Sequence, residues 1–269
     1  MPTDMSNATT APFYLDWTFW SFAAATIAIV LSQLPPLRTY ILRSKVRADA
    51  YGRMLVGHLM GYPNLEVTLG FRNIGGMPVR VERLTLTVLK GEQSMVSLVG
   101  AAYYPSPQTP STVIFTPFVL APGAEWIHGV HFFERLSQHA DRELGRLRAD
   151  VRRSIARKVQ ERRDATAQRM DDGNTAADGL VEADDELIER LEGEFEKNFA
   201  WVPGEYEAVF KAETDKLGAI AFKYRFTLYE SDVESMIEAA HRHRYGFGVV
   251  PTLVDSNIVP VMVDLTRSQ

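Results

Sequence analysis

The sequence predicts a mainly β protein with added α-helices: an N-terminal single transmembrane helix, an antiparallel β-sandwich and a long charged helical-hairpin insertion. Three observations predict this fold class. Residues 17–37 carry no charge, alternating apolar and polar residues recur between 65 and 230, and a highly charged segment with apolar residues at helical spacing interrupts that alternation.

The composition excludes several classes of protein. The chain has 269 residues, of which 46% are hydrophobic, and 29 Lys and Arg against 34 Asp and Glu give a net charge of −5. These values exclude a disordered chain, a collagen-like chain and a polytopic membrane protein. Cysteine is absent, which excludes disulfide scaffolds, thiolate metal sites and cysteine nucleophiles. The acidic balance gives no support for nucleic-acid binding, so we expect no nucleic-acid partner.

The N-terminal prediction is a membrane span over residues 17–37, which are 21 uncharged residues where about 20 cross a bilayer as a helix. Aromatic residues cluster at its start, and Pro35 and Pro36 end it. A buried core helix is the alternative, but such a helix normally carries a polar face. No Lys or Arg precedes the span, which disfavours a cleaved signal peptide.

The basic residues after the span predict its orientation. Arg38, Arg43, Lys45, Arg47 and Arg53 follow it closely. Because cytoplasmic flanks are enriched in Lys and Arg, we expect the N-terminus outside and the C-terminal domain in the cytoplasm. The sequence therefore predicts a single-pass protein of the inner (plasma) membrane, with the bilayer as one partner.

The β part begins at Leu65, where apolar residues start to alternate with polar ones. In the next strand, Val79 and Val81 share one phase, whereas Leu84, Leu86 and Val88 share the other. A one-residue slip of this kind is typical of a β-bulge. Further strands are predicted around 96–98, 113–120, 126–132, 206–210 and 220–228. Trp126 and Trp201 border Pro-Gly turns, where a core position is favoured over an exposed contact.

Three short sequence segments resemble the strand-turn segments of bacterial membrane-anchored immunoglobulin-like β-sandwich modules. They read F-R-N-I-G-G-M-P-V-R-V from Phe71, L-A-P-G-A-E-W from Leu120 and V-P-G-E-Y-E from Val202. The resemblance implies an immunoglobulin-like fold and an interaction module. It transfers no catalytic residue, since fold alone does not decide function.

The charged insertion is predicted as two helices of opposite charge. Residues 136–170 hold ten basic and five acidic residues, and residues 171–196 hold eleven acidic residues and one basic residue. The apolar stripe of the first helix comprises Leu144, Leu147, Val151, Ile155 and Val159.

Three interpretations of this insertion remain open. The helices neutralise each other, the basic helix lies on anionic lipid, or the charged stripe binds a protein partner of unknown identity. The last two interpretations make the following residues candidate lipid or partner contacts: Arg38, Arg43, Lys45, Arg47, Arg146, Arg152, Arg153, Arg157 and Lys158.

The C-terminal part predicts one more helix from Ser231, with Ser231 and Glu234 at capping-box spacing. Its end carries His241 and His243, which are predicted to be solvated rather than to bind metal. The tail after Tyr245 either lies extended on the domain or adds an edge strand.

No sequence motif of catalysis, metal binding or cofactor binding is found, so no catalytic, metal or cofactor residues are expected. The predicted division is a flank and membrane helix (1–37), a basic linker (38–53), a first β part (54–135), a helical hairpin (136–200), the last strands (201–230) and a helix with tail (231–269). The predicted function is non-catalytic binding or scaffolding by a membrane-anchored protein. An exported, envelope-facing adhesion or assembly module is one alternative. An enzyme with a noncontiguous carboxylate site is the other.

Overall fold

The structure is a computed structural model that describes residues 17–33, 43–106, 108, 111–170, 180–247 and 260–268. The helices are α1 (Trp17–Gln33), α2 (Gln138–Met170), α3 (Asp185–Asn198) and α4 (Glu230–His241), which a 3₁₀ turn (Arg242–Tyr245) follows. The strands are β1 (Val46–Leu59), β2 (Tyr62–Asn73), β3 (Val79–Lys90), β4 (Gln93–Tyr103), β5 (Val113–Ile114), β6 (Phe118–Leu120), β7 (Glu125–Phe133), β8 (Gly204–Thr214), β9 (Gly218–Leu228), β10 (Val261–Asp264) and β11 (Thr266–Arg267).

All described strands belong to one antiparallel sheet with the order β10-β1-β2-β7-β4-β3-β8-β9-β11, while β5 pairs with β4 and β6 with β3. β10 adds to β1 at one edge and β11 adds to β9 at the other. Because β10 and β11 are separated by a single residue, they bring the two edges together and the sheet nearly closes on itself. The tail therefore adds strands, the second of its two predicted conformations.

The structure is mainly antiparallel β with helices, but the predicted immunoglobulin-like sandwich is wrong. A sandwich consists of two separate packed sheets, whereas one continuous sheet encloses the core here. The alternating pattern identifies strands without identifying their partners. In the structure β7 lies between β2 and β4, and β8 pairs with β3.

The predicted transmembrane helix and the single-pass membrane localisation are also wrong. Within the described ranges, no helix has the length and apolar character needed to cross a membrane. The described part of α1 has 17 residues, which span about 26 Å, less than the roughly 30 Å of a bilayer core. Pro35, Pro36 and Arg38, which belong to the predicted end and flank of the span, lie outside the described residues.

The predicted bulge in β3 is confirmed. The pairing of β3 with β8 shifts register between Val81 and Arg83. Val79 and Val81 before the shift are buried, and so are Leu84, Leu86 and Val88 after it. The bulge thus turns Glu82 and Arg83 to the outside of the sheet while both apolar sets face the core.

The helices α2 and α3 pack over the tip of the β1–β2 hairpin. Met60 and Gly61 form the tip, both with positive φ, as a two-residue hairpin turn requires. Met60 is fully buried in a second apolar cluster, separate from the core inside the sheet. Its other buried members are Leu144, Leu147, Val151, Ala183 and Leu191, so α2 buries the first three residues of its predicted stripe.

Candidate anion-binding site

A pocket of about 640 Å³ lies between the N-terminal half of α2 and the outer face of the sheet. Its apolar walls come from the strands, from the β5–β6 connection, from the loop before α2 and from α2 itself: Leu59, Val99, Phe115, Phe133, Leu136 and Leu144. Its charged residues are Glu82, Arg83, Glu134, Arg135, Asp141 and Arg148. We call this the Arg148 pocket. Its volume lies within the range of about 300–1,000 Å³ that small-molecule sites occupy.

Arg148 is the residue that distinguishes this pocket. Its Nε and Nη2 atoms are buried, and neither has a hydrogen-bond partner within the described part of the chain. Burial lowers the pKa of the Arg148 guanidinium, an effect that Asp141 partly opposes. A guanidinium stays charged at neutral pH even so. The wall of the pocket therefore includes a positively charged side chain, and two of its N–H donors are buried beneath the pocket surface without a partner in the described part of the chain.

The buried region near Arg148 contains further basic groups. Desolvation by burial is the main cause of the low pKa of His243. His58 and the positive charge of Arg148 lower that pKa further. The pKa of His243 falls to about 3, and burial lowers the pKa of His58 as well. Both imidazoles are therefore neutral at neutral pH, so they add no further positive charge beside Arg148.

The β3 bulge supplies part of the pocket wall. Glu82 and Arg83, which the bulge turns outward, both line the pocket together with Thr85. Bulges often lie beside functional sites because they redirect side chains. The phase slip in the sequence is therefore one signal for this pocket, although it does not by itself predict a site there.

The helical pattern contained a second signal. Arg148 lies four residues after Leu144 and three before Val151, both of which are buried. It therefore lies on the buried face of α2, where a charged residue is unusual and needs a partner. Arg148 is one of the ten basic residues of the predicted helix, but it is not among the predicted contact residues.

The predicted contact residues do not form one surface. Arg43, Lys45 and Arg47 are exposed at the start of β1, and Arg38 lies outside the described residues. The candidates on α2 lie beside the far end of β1, a strand of 14 residues that spans roughly 40 Å. Arg47 binds Asp49 at 2.9 Å, and Arg153 binds Asp150. Arg146 and Arg152 are exposed on α2, where Arg146 lines a groove that faces α3.

Arg157 and Lys158 bind the segment that precedes α3. Arg157 Nη2 lies 2.7 Å from Asp184 Oδ2, and Lys158 Nζ lies 3.1 Å from Asp184 Oδ1. Lys158 also donates to the carbonyl of Ala183 at 2.9 Å, and the Asp184 amide donates to Ser154 Oγ at 2.9 Å. These hydrogen bonds and ion pairs attach α2 to the start of α3.

The prediction that His241 and His243 are both solvated is wrong for His243. The α4 helix ends at His241, and the 3₁₀ turn carries His243 inward, where 7% of it is exposed. The predicted capping pair also differs, because α4 starts at Glu230 and Asp232 accepts the Tyr229 amide hydrogen at 2.8 Å. No group of three or more potential metal ligands occurs in the ranges that the structure describes.

A second pair of titratable groups lies on the outer face where β2 meets β7. His131 Nε2 and Glu66 Oε2 are 3.5 Å apart. Burial raises the pKa of Glu66 and lowers that of His131, so it favours the neutral form of each. His128, three residues earlier, lies beside Trp126, with ring centroids 4.6 Å apart.

Comparisons with known proteins add little to this geometry. No family model matches the chain, and no curated protein matches it. Among solved structures, the crystal structure of a protein from Archaeoglobus fulgidus is similar at 8% sequence identity, covering 70% of this chain and 97% of that chain. The TM-score of 0.24 is too low to support an argument about fold or function.

Proposed function

We propose that this protein is a binding protein for a small anionic molecule, which it holds in the Arg148 pocket. The observation that carries the proposal is the buried guanidinium of Arg148, whose Nε and Nη2 lack partners within the described residues. An unsatisfied buried donor costs about 1–3 kcal/mol, and more when it is charged. An anion that reaches these donors removes this cost.

A carboxylate or a phosphate is the ligand group that fits these donors best. Water can accept an N–H hydrogen bond, but it brings no negative charge to pair with the guanidinium. A carboxylate or phosphate accepts two parallel hydrogen bonds from a guanidinium and neutralises it. The size and the partly apolar walls of the pocket fit a small organic molecule rather than a bare ion.

Isothermal titration calorimetry with acetate and with inorganic phosphate tests the proposal. We expect at least one of the two anions to bind, and Arg148→Gln to weaken that binding roughly tenfold or more, because hydrogen bonds to a charged group contribute about 1.5–3 kcal/mol. Arg153→Gln is the matched control, since Arg153 is exposed on the same helix and binds Asp150. Binding that Arg148→Gln leaves unchanged, or no binding of either anion, overturns the proposal.

A further inference from the structure

The charges at the rim of the Arg148 pocket select among anions. Besides Arg148, the pocket is lined by two basic residues, Arg83 and Arg135, and by three acidic ones, Glu82, Glu134 and Asp141. All five rim residues are exposed. The rim therefore carries one net negative charge, which opposes a ligand with two negative charges more strongly than a ligand with one.

The apolar walls specify the rest of the ligand. Val99 and Phe133 are paired in register on β4 and β7, and both are half-buried and line the pocket. Phe115 and Leu136 add two more half-buried apolar side chains. A ligand whose carboxylate meets Arg148 can place an apolar body on these residues, which removes apolar surface from water on both partners.

The extent of the pocket along α2 indicates how long the apolar part of the ligand is. Asp141 and Arg148 both line the pocket and lie two helical turns apart, about 10 Å along the helix axis. The Nε and Nη2 atoms of Arg148 are buried, whereas Asp141 is exposed. The pocket thus extends along about two turns of α2, a length comparable with that of an acyl chain or ring of moderate size.

We infer that the ligand of the Arg148 pocket is an amphipathic monocarboxylate, with its carboxylate on Arg148 and its apolar body against Val99, Phe115, Phe133 and Leu136. This inference rests on the proposed function and narrows it in two respects. It specifies one negative charge rather than the two of a phosphate monoester, and it requires an apolar body.

Calorimetric titrations of the full chain with four probes test the inference: propionate, decanoate, decyl phosphate and decanol, each below its critical micelle concentration. We expect decanoate to bind more tightly than the other three. Each methylene group that becomes fully buried adds up to roughly fourfold in affinity, so the difference from propionate is large. Arg148→Gln should weaken decanoate binding roughly tenfold to hundredfold, while Arg153→Gln leaves it unchanged.

Two further variants keep the test valid if Arg148→Gln folds poorly. Arg148→Lys retains the charge but loses the forked donor geometry, so it should weaken decanoate binding by a smaller factor. Val99→Thr replaces a methyl group with a hydroxyl and so keeps the shape of the pocket wall. It should reduce the affinity for decanoate and leave the affinity for propionate unchanged. A decanoate affinity that neither variant changes overturns the inference.

The outcomes separate the inference from the proposed function. If propionate and decanoate bind equally, or decyl phosphate binds at least as tightly as decanoate, the inference is wrong while anion binding at Arg148 stands. If decanol binds as tightly as decanoate, the role of Arg148 in holding the carboxylate is wrong. If no anionic probe binds, both the proposed function and the inference fail.

Discussion

The imidazole rings of His58 and His243 lie edge to face, with centroids 5.8 Å apart and planes at 80°. His58 Nε2 lies 2.9 Å from the Met236 carbonyl oxygen, and His58 Nδ1 accepts the Gly61 amide hydrogen at 3.3 Å. Both ring nitrogens thus have partners that suit a neutral ring with its proton on Nε2. This junction joins the β1–β2 hairpin tip to the end of α4 through two buried histidines.

The buried histidines predict a loss of stability in mild acid. Burial, together with electrostatic interactions with His58, Arg148 and His241, lowers the pKa of His243 from 6.5 to about 3. The unfolded chain therefore binds a proton at this residue between pH 6.5 and about 3, whereas the folded chain does not. The free energy of unfolding should be unaffected by this group above pH 6.5. It should fall by roughly 1 kcal/mol per pH unit below that value.

Urea unfolding followed by circular dichroism between about pH 7 and about pH 5 measures this slope. His243→Gln removes the titrating group, so its stability should vary less with pH than that of the wild-type chain. His139→Gln is the control, because His139 is exposed on α2 with 82% of its side chain accessible. Equal slopes in the wild-type protein and His243→Gln would show that His243 is not the responsible group.

The second prediction concerns the hairpin tip. Gly61 has φ of +89°, and a Cβ atom placed there would lie 2.6 Å from the carbonyl oxygen of Phe195 on α3. Gly61→Ala should lower the free energy of unfolding by roughly 2 kcal/mol or more, because both the backbone conformation and the α3 contact become unfavourable.

Gly145→Ala serves as the control for Gly61→Ala in thermal and urea unfolding. Gly145 lies on α2, and a Cβ atom there meets nothing within 4 Å. Because alanine favours a helix interior over glycine by about 1 kcal/mol, Gly145→Ala should raise stability or leave it unchanged. A Gly61→Ala variant as stable as the wild-type protein would contradict the packing of α3 against this turn.

The sequence predicted local features better than it predicted the pairing of strands. Alternation located β2, β3 and β9, and the slip between Val81 and Leu84 located the bulge, because these patterns depend on neighbouring residues along one strand. The strand order depends on contacts between distant residues. The pairing of β3 with β8, across the whole helical insertion, has no local signal.

Prediction of the candidate site from the sequence is limited in the same way. The charge of Arg148 and its place on the apolar face of α2 are visible in the sequence, but its lack of a partner is visible only when the surrounding strands are in place. His243 was assigned to a solvated helix end because the sequence does not reveal the 3₁₀ turn that carries it inward. The inward turn requires packing against α3 and β1, which are distant in sequence.

The third prediction concerns the attachment of α3 to α2. Hydrogen bonds from Lys158 are the largest of the effects that lower the pKa of Asp184, and Arg157 adds its charge. Asp184→Asn keeps the shape of the side chain but removes both ion pairs. We expect faster hydrogen exchange at the Leu187 and Ile188 amides, which donate to the Asp184 carbonyl. Glu189→Gln, on the exposed face of α3, should leave these rates unchanged. Unchanged rates in Asp184→Asn would assign the attachment to apolar packing alone.

The fourth prediction concerns Trp201, which the sequence favoured as a core residue and which is 1% exposed. Its Nε1 donates to the Gly57 carbonyl oxygen at 3.1 Å, and the centroid of its ring lies 5.8 Å from that of the Tyr206 ring. Trp201→Phe removes the donor and part of the ring, so it should lower the free energy of unfolding by about 2 kcal/mol.

Fluorescence provides an independent measurement for Trp201. The indole rings of Trp17 and Trp20 are exposed at 82% and 58%, so Trp201→Phe should shift the emission of the folded chain to longer wavelength by removing a buried indole. Trp20→Phe is the matched control and should shift emission to shorter wavelength without changing stability, because it removes an exposed indole instead. A Trp201→Phe variant that keeps the wild-type emission and stability would contradict the burial of Trp201 against β1, since the loss of a buried indole and its hydrogen bond to Gly57 must change both.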